Sequence, residues 1–351
     1  MSITKNVKEE LGRRVATASE EGFLETRFRP LVEAVNAANG NGNGTGNGHS
    51  AGWGVRVIQL DSTGAATVEV RRNGSRAVFA KFFPPGTEGK AIHDKLLALR
   101  EAGFGAGSPY QVVEPLAWLP ELDLLVCAEA MGPSVADALG DDDPAVRLPA
   151  VREAATWLGR LHSTPLRIGK PHSMLVSTEI LSLTRRLAKV AAEHPAHVAE
   201  ALVRIEQLEA LALDTVDGLA VQSHGQYRPI HVFLGGSDSG ATVIDLDRSR
   251  PADPARDTAE FLHRLRRQLT GDGRRAAEVE AATAAFLDAY RAAVPDPGAW
   301  LANLRFHWAR YVFHSMNRKL KKGDREEDER TVGVYQADFE ALVEGRLLPE
   351  G

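Results

Sequence analysis

The stretch "VQSHGQYRPIHVFLGG", residues 221–236, decides how the rest of the chain is read. An apolar run ends at His224 and Gly225, a turn with Tyr227, Arg228 and Pro229 follows, and Val232, Phe233 and Leu234 lead into a glycine pair. Such a pattern predicts a loop, a short strand and a hairpin turn. Shortly after, "ATVIDLD" predicts a second strand that delivers Asp245 and Asp247 at its end.

Upstream of this hairpin the chain divides in two. From Val55, period-two and β-branched residues predict three antiparallel strands, "VRVIQL", "ATVEVRR" and "RAVFAKFF", joined through the turns "DSTG" and "NG". Pro84 and Pro85 stop the third, and Ile92, Leu96, Leu97 and Leu99 follow at helical spacing. "QVVEPLAWL" and "LDLLVCAEA" complete a β-β-β-α-β-β order. After Met131 the pattern turns helical over about 146–162, 178–194, 197–213, 256–268, 276–293 and 299–321, and "KKGDREEDER" (321–330) reads as a solvated charged turn.

Ahead of the strands, Ile3, Val7 and Leu11, then Phe28, Leu31, Val32 and Val35, predict helices within the first 38 residues. "NGNGNGTGNGHS" (39–50) is low in complexity and cannot cover a core. The expected organisation is a helical extension at 1–38, a linker at 39–54, a small sheet lobe at 55–127 and a helical lobe at 128–351. The fold class is α+β and two-lobed, with five antiparallel strands in the smaller lobe. The extension either packs on the main body or docks a protein partner.

Composition removes other classes. A net charge of -5 and a pI near 6.1 argue against a nucleic-acid surface as the main business. One cysteine, Cys127, excludes an internal disulfide and a Cys-rich zinc site, and it reads as a buried thiol. No apolar run approaches a membrane span and the charged start lacks a signal-type apolar segment, so the expected location is the cytoplasm, away from membranes.

Six segments in order carry a resemblance: "VFAK", "CAEAMGPSVADAL", "AATWLGRLHS", "SHGQYRPIHVFL", "VIDLD" and "DPARDTAEFL". From Val55 to the last helices the sequence resembles the aminoglycoside phosphotransferase family, the small-molecule branch of the protein-kinase-like fold. The resemblance implies ATP and Mg²⁺. Lys81 would neutralise α- and β-phosphate oxygens, paired with Glu88, or failing that Asp94, and the backbone of Cys127–Met131 around Glu129 would meet adenine. Asp245 would hold Mg²⁺ with help from His231, while Gln226 and Arg228 would orient the acceptor. Asp253 would cap the helix that follows it, Asp257 would hydrogen-bond into the loop, and His162, His224 and Tyr227 would be structural.

The sequence also departs from that pattern. Gln226 stands where the family places a proton-accepting Asp, and His231 where it places a metal-binding Asn. An amide can position a hydroxyl but cannot carry its proton away, whereas an imidazole can ligate a cation or accept a proton. Only Gly64 marks the phosphate-covering turn. Two functions stay open: a phosphotransferase acting on a hydroxyl of a small molecule or peptide side chain, and a kinase-like binding or scaffold protein without catalysis. Transfer of a nucleotidyl group is a third. No acidic cluster suited to a polycationic acceptor is found, since "GDDDP" (140–144) reads as a turn before a helix.

Overall fold

The computed structural model describes residues 3–38, 52–60, 65–72, 77–84, 87, 89–172, 176–191, 198–216, 219–235, 240–320 and 325–347. The tract at 39–50, the two hairpin turns of the small sheet and Glu88 lie outside the described residues. The chain forms two compact units, one of Met1–Met131 with Thr242–Ile244, the other of Gly132–Ala241 with Asp245–Gly351.

In the first unit come helix α1 (Ile3–Ala18), the short α2 (Glu21–Phe23), a wide helical turn at Leu24–Phe28, and α3 (Arg29–Ala38). Strands β1 (Trp53–Leu60), β2 (Ala66–Arg72) and β3 (Val78–Phe82) follow, then α4 (Gly89–Leu99), β4 (Tyr110–Val112), β5 (Pro115–Leu119) and β6 (Leu124–Ala128). Five of the strands make an antiparallel sheet in the order β1-β2-β3-β6-β5.

Strand alternation sorts the side chains of this sheet onto two faces. Val78, Ala80 and Phe82 are buried, together with Val68, Val70, Leu124 and Val126, in one cluster with Leu11, Leu24, Phe28, Val32 and Val35 of the N-terminal helices. The extension therefore spends its apolar stripe on its own sheet. Arg14 pins it there, donating through Nη1 to Leu122 O at 3.0 Å and through Nη2 to Phe83 O at 2.8 Å, with Asp123 Oδ2 at 3.3 Å. Lys81, between Ala80 and Phe82, belongs to the opposite face, where its register partners are Thr67 and Leu125.

The second unit begins with α5 (Val135–Gly140), whose N-cap Ser134 makes a capping box with Asp137. Asp143 caps α6 (Pro144–Ser163) by accepting from Ala145 N at 2.8 Å, so "GDDDP" is indeed the turn before a helix. Then come α7 (Val176–Ala191), α8 (Val198–Leu213), β7 (Val221–Ser223), β8 (Val232–Leu234), β9 (Ala241–Val243), β10 (Arg250–Ala252) and α9 (Ala255–Gly271). Helices α10 (Ala276–Ala293), α11 (Pro297–Leu301), α12 (Leu304–Leu320) and α13 (Arg325–Val343) complete it. Thr242–Ile244, which takes in the last two residues of β9, counts with the first unit, where Val113 N–H donates to Val243 O at 2.9 Å.

Two expectations need correction. The single helix read at 299–321 is broken between α11 and α12, because the Asn303 amide clamps the backbone of Val216, donating to its O at 2.8 Å and accepting from its N at 2.9 Å. From Arg325 the charged run read as a turn is instead the start of α13, while residues 321–324 lie outside the described residues. Among the described residues no helix is long and apolar enough to cross a membrane.

Charge also fastens α7, α9 and α12. Glu179 pairs with Arg256 and, at 3.1 Å, with Arg310. Burial alone would raise its pKa, but Arg310 and Arg256 outweigh that and bring it down to about 2. Its unfolded value is about 4.3, so this stabilisation is complete above that pH and is lost as pH falls toward the folded value. Unfolding free energies from urea titrations should decline between pH 5 and pH 2, by about 2.5 kcal/mol from this group. Glu179→Gln should be less stable at neutral pH and flatter across that window; an unchanged pH slope would rule the brace out.

Candidate functional site

The loop after β7 is organised around one buried carboxylate. Asp257, two residues into α9, accepts from Ser223 Oγ and His224 N, both at 2.6 Å, and from Gly225 N at 2.9 Å. His162 Nε2 lies 3.4 Å away, and His162 Nδ1 is 2.7 Å from Tyr290 OH. Burial works to raise the Asp257 pKa; the surrounding donors, His162 foremost, outweigh it and hold the group below the ordinary carboxylate range. Gly225 must be glycine: its φ is +83°, and a Cβ would collide with the Arg248 carbonyl oxygen.

Aromatic packing supports the loop from below. Tyr227 stacks on Trp157 at 5.6 Å and on Phe261 at 5.3 Å, and its hydroxyl donates to Ala154 O at 2.7 Å. Phe261 stacks in turn on Phe286 at 4.4 Å. These rings fix the turn by packing while Asp257 fixes it by hydrogen bonds, which gives its exposed residues little freedom.

Gln226 and His231 are tied through the backbone. The amide N–H of Gln226 donates to His224 Nδ1 at 3.2 Å, and His231 Nδ1 lies 3.0 Å from Gln226 O. A carbonyl only accepts, so Nδ1 carries the proton and Nε2 presents its lone pair. That Nε2 is 3.6 Å from Asp245 Oδ2. Burial first, then His224 and Arg228, push the His231 pKa down to about 4 against the pull of Asp245. A carboxylate and a neutral imidazole, both electron donors, face each other.

Asp245 reaches this position with φ 63° and ψ 44°, in the left-handed region that a non-glycine residue adopts at a cost of about 1–3 kcal/mol. Two donors so placed fit a divalent cation that takes its remaining ligands from phosphate oxygens and water. Among the described residues no group of three or more His, Cys, Asp or Glu could hold a metal by itself, so such a cation would depend on those outside ligands.

Arg228 is not loose on the surface of its turn. Its Nε–H donates to Glu260 Oε1 at 2.7 Å, and Glu260 is buried at 3% exposure. Asp253 accepts from Ala255 N at 2.9 Å and Asn303 Nδ2 at 2.7 Å, securing the start of α9. Within the first unit, Lys81 Nζ lies 5.8 Å from the centre of the Phe83 ring. Asp94 is exposed and pairs with Lys90 at 2.6 Å. Glu129 holds Arg71 Nη2 at 3.1 Å and accepts from Ala77 N at 3.2 Å; Glu88 lies outside the described residues. Glu260 escaped the sequence reading, although its place one helical turn before Arg264 is the i,i+4 signal of an acid held among cations.

The family model described as "Phosphotransferase enzyme family" matches residues 56–306. No curated protein matches the sequence. Among solved structures, a glucosamine kinase is 17% identical with a TM-score of 0.57, over 90% of this chain and 86% of that one. A choline kinase from Cryptosporidium parvum Iowa II is 12% identical with a TM-score of 0.57, over 90% and 98%. The GDP complex of an aminoglycoside 2'-phosphotransferase variant is 13% identical with a TM-score of 0.57, over 85% and 95%. At these identities the likeness is one of fold, and the fold is the protein-kinase-like one.

The arrangement around Asp257 is open to direct test. In Asp257→Asn an amide NH₂ must face backbone N–H donors, so at least one buried amide loses its acceptor, at a cost of about 3 kcal/mol. Chemical denaturation should show that loss, and hydrogen exchange should quicken at His224 and Gly225. Unchanged protection at both amides would mean that the carboxylate does not hold the loop.

Proposed function

The chain belongs to the phosphotransferase enzyme family, and we propose that it transfers the γ-phosphate of ATP to a hydroxyl group of a small molecule. The observation that carries this reading is the pairing of Asp245 with the proton-free Nε2 of His231, 3.6 Å apart, beside the rigid turn of Gln226. In this reading Asp245 and His231 would hold Mg²⁺, which when bound neutralises charge on the transferring phosphates. Lys81, with Glu88 as its partner, would face the α- and β-phosphates, and the backbone of Cys127–Met131 around Glu129 would meet the base.

Transfer forms a bond from the acceptor oxygen to the γ-phosphorus and breaks the bond to the bridging oxygen of ADP. The hydroxyl proton then leaves to solvent or to the transferred phosphate, because the Gln226 amide has no basicity to take it. Phosphoryl transfer tolerates this. Its loose transition state is stabilised mainly by positioning and by charge, which Gln226 and its neighbours can supply without acting as a base.

Gln226 also supports a second reading, in which the chain keeps the fold as a binding or scaffold protein and does no chemistry. Calorimetry with ATP and Mg²⁺, followed by turnover on a panel of hydroxyl compounds, separates the two. The phosphotransferase reading expects metal-dependent nucleotide binding and a loss of about a hundredfold in turnover for Asp245→Ala. It also expects Gln226→Asp to raise turnover about tenfold by restoring a general base. Full activity in Asp245→Ala would remove the metal role, and a chain blind to nucleotide would leave the scaffold reading.

A further inference from the structure

A cavity of about 710 Å³ opens within the second unit. Arg228 and Ile230 line it from the turn that follows Gln226, Arg264 and Arg267 from α9, with Asp272 just beyond that helix and Tyr335 from α13. Such a volume suits a small molecule of sugar size.

Its charge is unusual for a chain whose overall balance is -5. Three guanidiniums line it with one carboxylate, Asp272, which is exposed. Behind them the buried Glu260 is already committed to Arg228 Nε. The terminal nitrogens of Arg228 make no hydrogen bond to the described residues. Arg264 Nη2 reaches Glu260 only at 3.7 Å, and its Nε is buried without a hydrogen-bond partner. Arg267 forms no ion pair with the described residues.

Like charges held this close repel one another. Burial, then Arg228 and Arg267, pull the Arg264 pKa below its ordinary value, with Glu260 opposing. Next to it, burial together with Arg264 and Arg267 drives His263 well below its own. Guanidinium N–H groups left unspent in a partly enclosed site match the oxygens of a carboxylate or phosphate, which accept them in pairs.

We infer that the acceptor of the proposed phosphotransfer carries an anionic group, a carboxylate or a phosphate, that docks on Arg228, Arg264 and Arg267. The inference rests on the phosphotransferase reading for the word acceptor, and on the cavity for the charge. Gln226 and Arg228 are two residues apart on one loop, at most about 7 Å of chain. A ligand anchored on these arginines therefore ends within a small molecule's length of Gln226. A polycation would meet repulsion in the same place.

Four compounds of one size isolate the charge: gluconate, glucose 6-phosphate, glucose and glucosamine. Calorimetric titration of the full chain, without nucleotide and at fixed ionic strength, should show one or both anions binding at least about tenfold more tightly than glucose, with glucosamine weakest. Which anion binds tells carboxylate from phosphate. Arg267→Gln and Arg264→Gln should each weaken the anion about tenfold, and added salt should weaken it in the parent chain. Glucosamine or glucose binding as well as both anions overturns the proposal, as does an anion affinity that survives both substitutions. In turnover, an anionic acceptor should show a KM raised about tenfold by Arg267→Gln with kcat little changed; an anion that binds through these arginines but only inhibits transfer overturns its role as acceptor. Because the titration contains no nucleotide, failure of phosphotransfer leaves its outcome readable.

Discussion

Everything at the candidate site depends on a single buried negative charge. Asp257 gathers the N–H groups of His224 and Gly225 and the hydroxyl of Ser223 onto two oxygens. A backbone turn that exposes consecutive N–H groups in a protein interior is costly without an acceptor, and an ionised carboxylate is the strongest acceptor available. The cost of burying that charge is offset by the donors around it. The turn is thus settled by its relation to α9, and Gln226, Arg228 and His231 inherit their positions from that contact.

A second dependency runs through Asp245. Its left-handed backbone aims the carboxylate at His231 instead of continuing the strand. Backbone strain of this kind persists where the surroundings fix it, and the place fixed here is the one where a cation would need oxygen ligands. Gln226, at the position where the resemblance implies an acid, brings neither a charge nor a base to the loop, while Asp245 and His231 still face each other.

Much of this was legible in the sequence, for definite physical reasons. Strand alternation marked "RAVFAKFF" and the turn signals around Gly225 marked the loop, because both are local properties of a few adjacent residues. The order of motifs then supplied the fold. Asp257 could be assigned to the loop from its place after Asp-Pro-Ala. What escaped is non-local. The break at Asn303 comes from an amide meeting Val216, 87 residues away, and the role of Glu260 comes from meeting Arg228, 32 residues away. Neither distant neighbour leaves a periodic trace; only the closer Arg264, at i+4, marks Glu260 locally. The extension's stripe was visible in Phe28, Val32 and Val35, but nothing in those residues says which surface they cover.

That covered surface has a consequence for the small lobe. Its sheet carries Val68, Val70, Ala80 and Phe82 beneath the N-terminal helices, so the five strands do not make a self-sufficient slab. A version of the chain trimmed at the glycine and asparagine tract would present a water-facing hydrocarbon plate where a roof had been. Trimmed copies would then tend to stack on one another, and solubility, ahead of any chemistry, would be the first property lost.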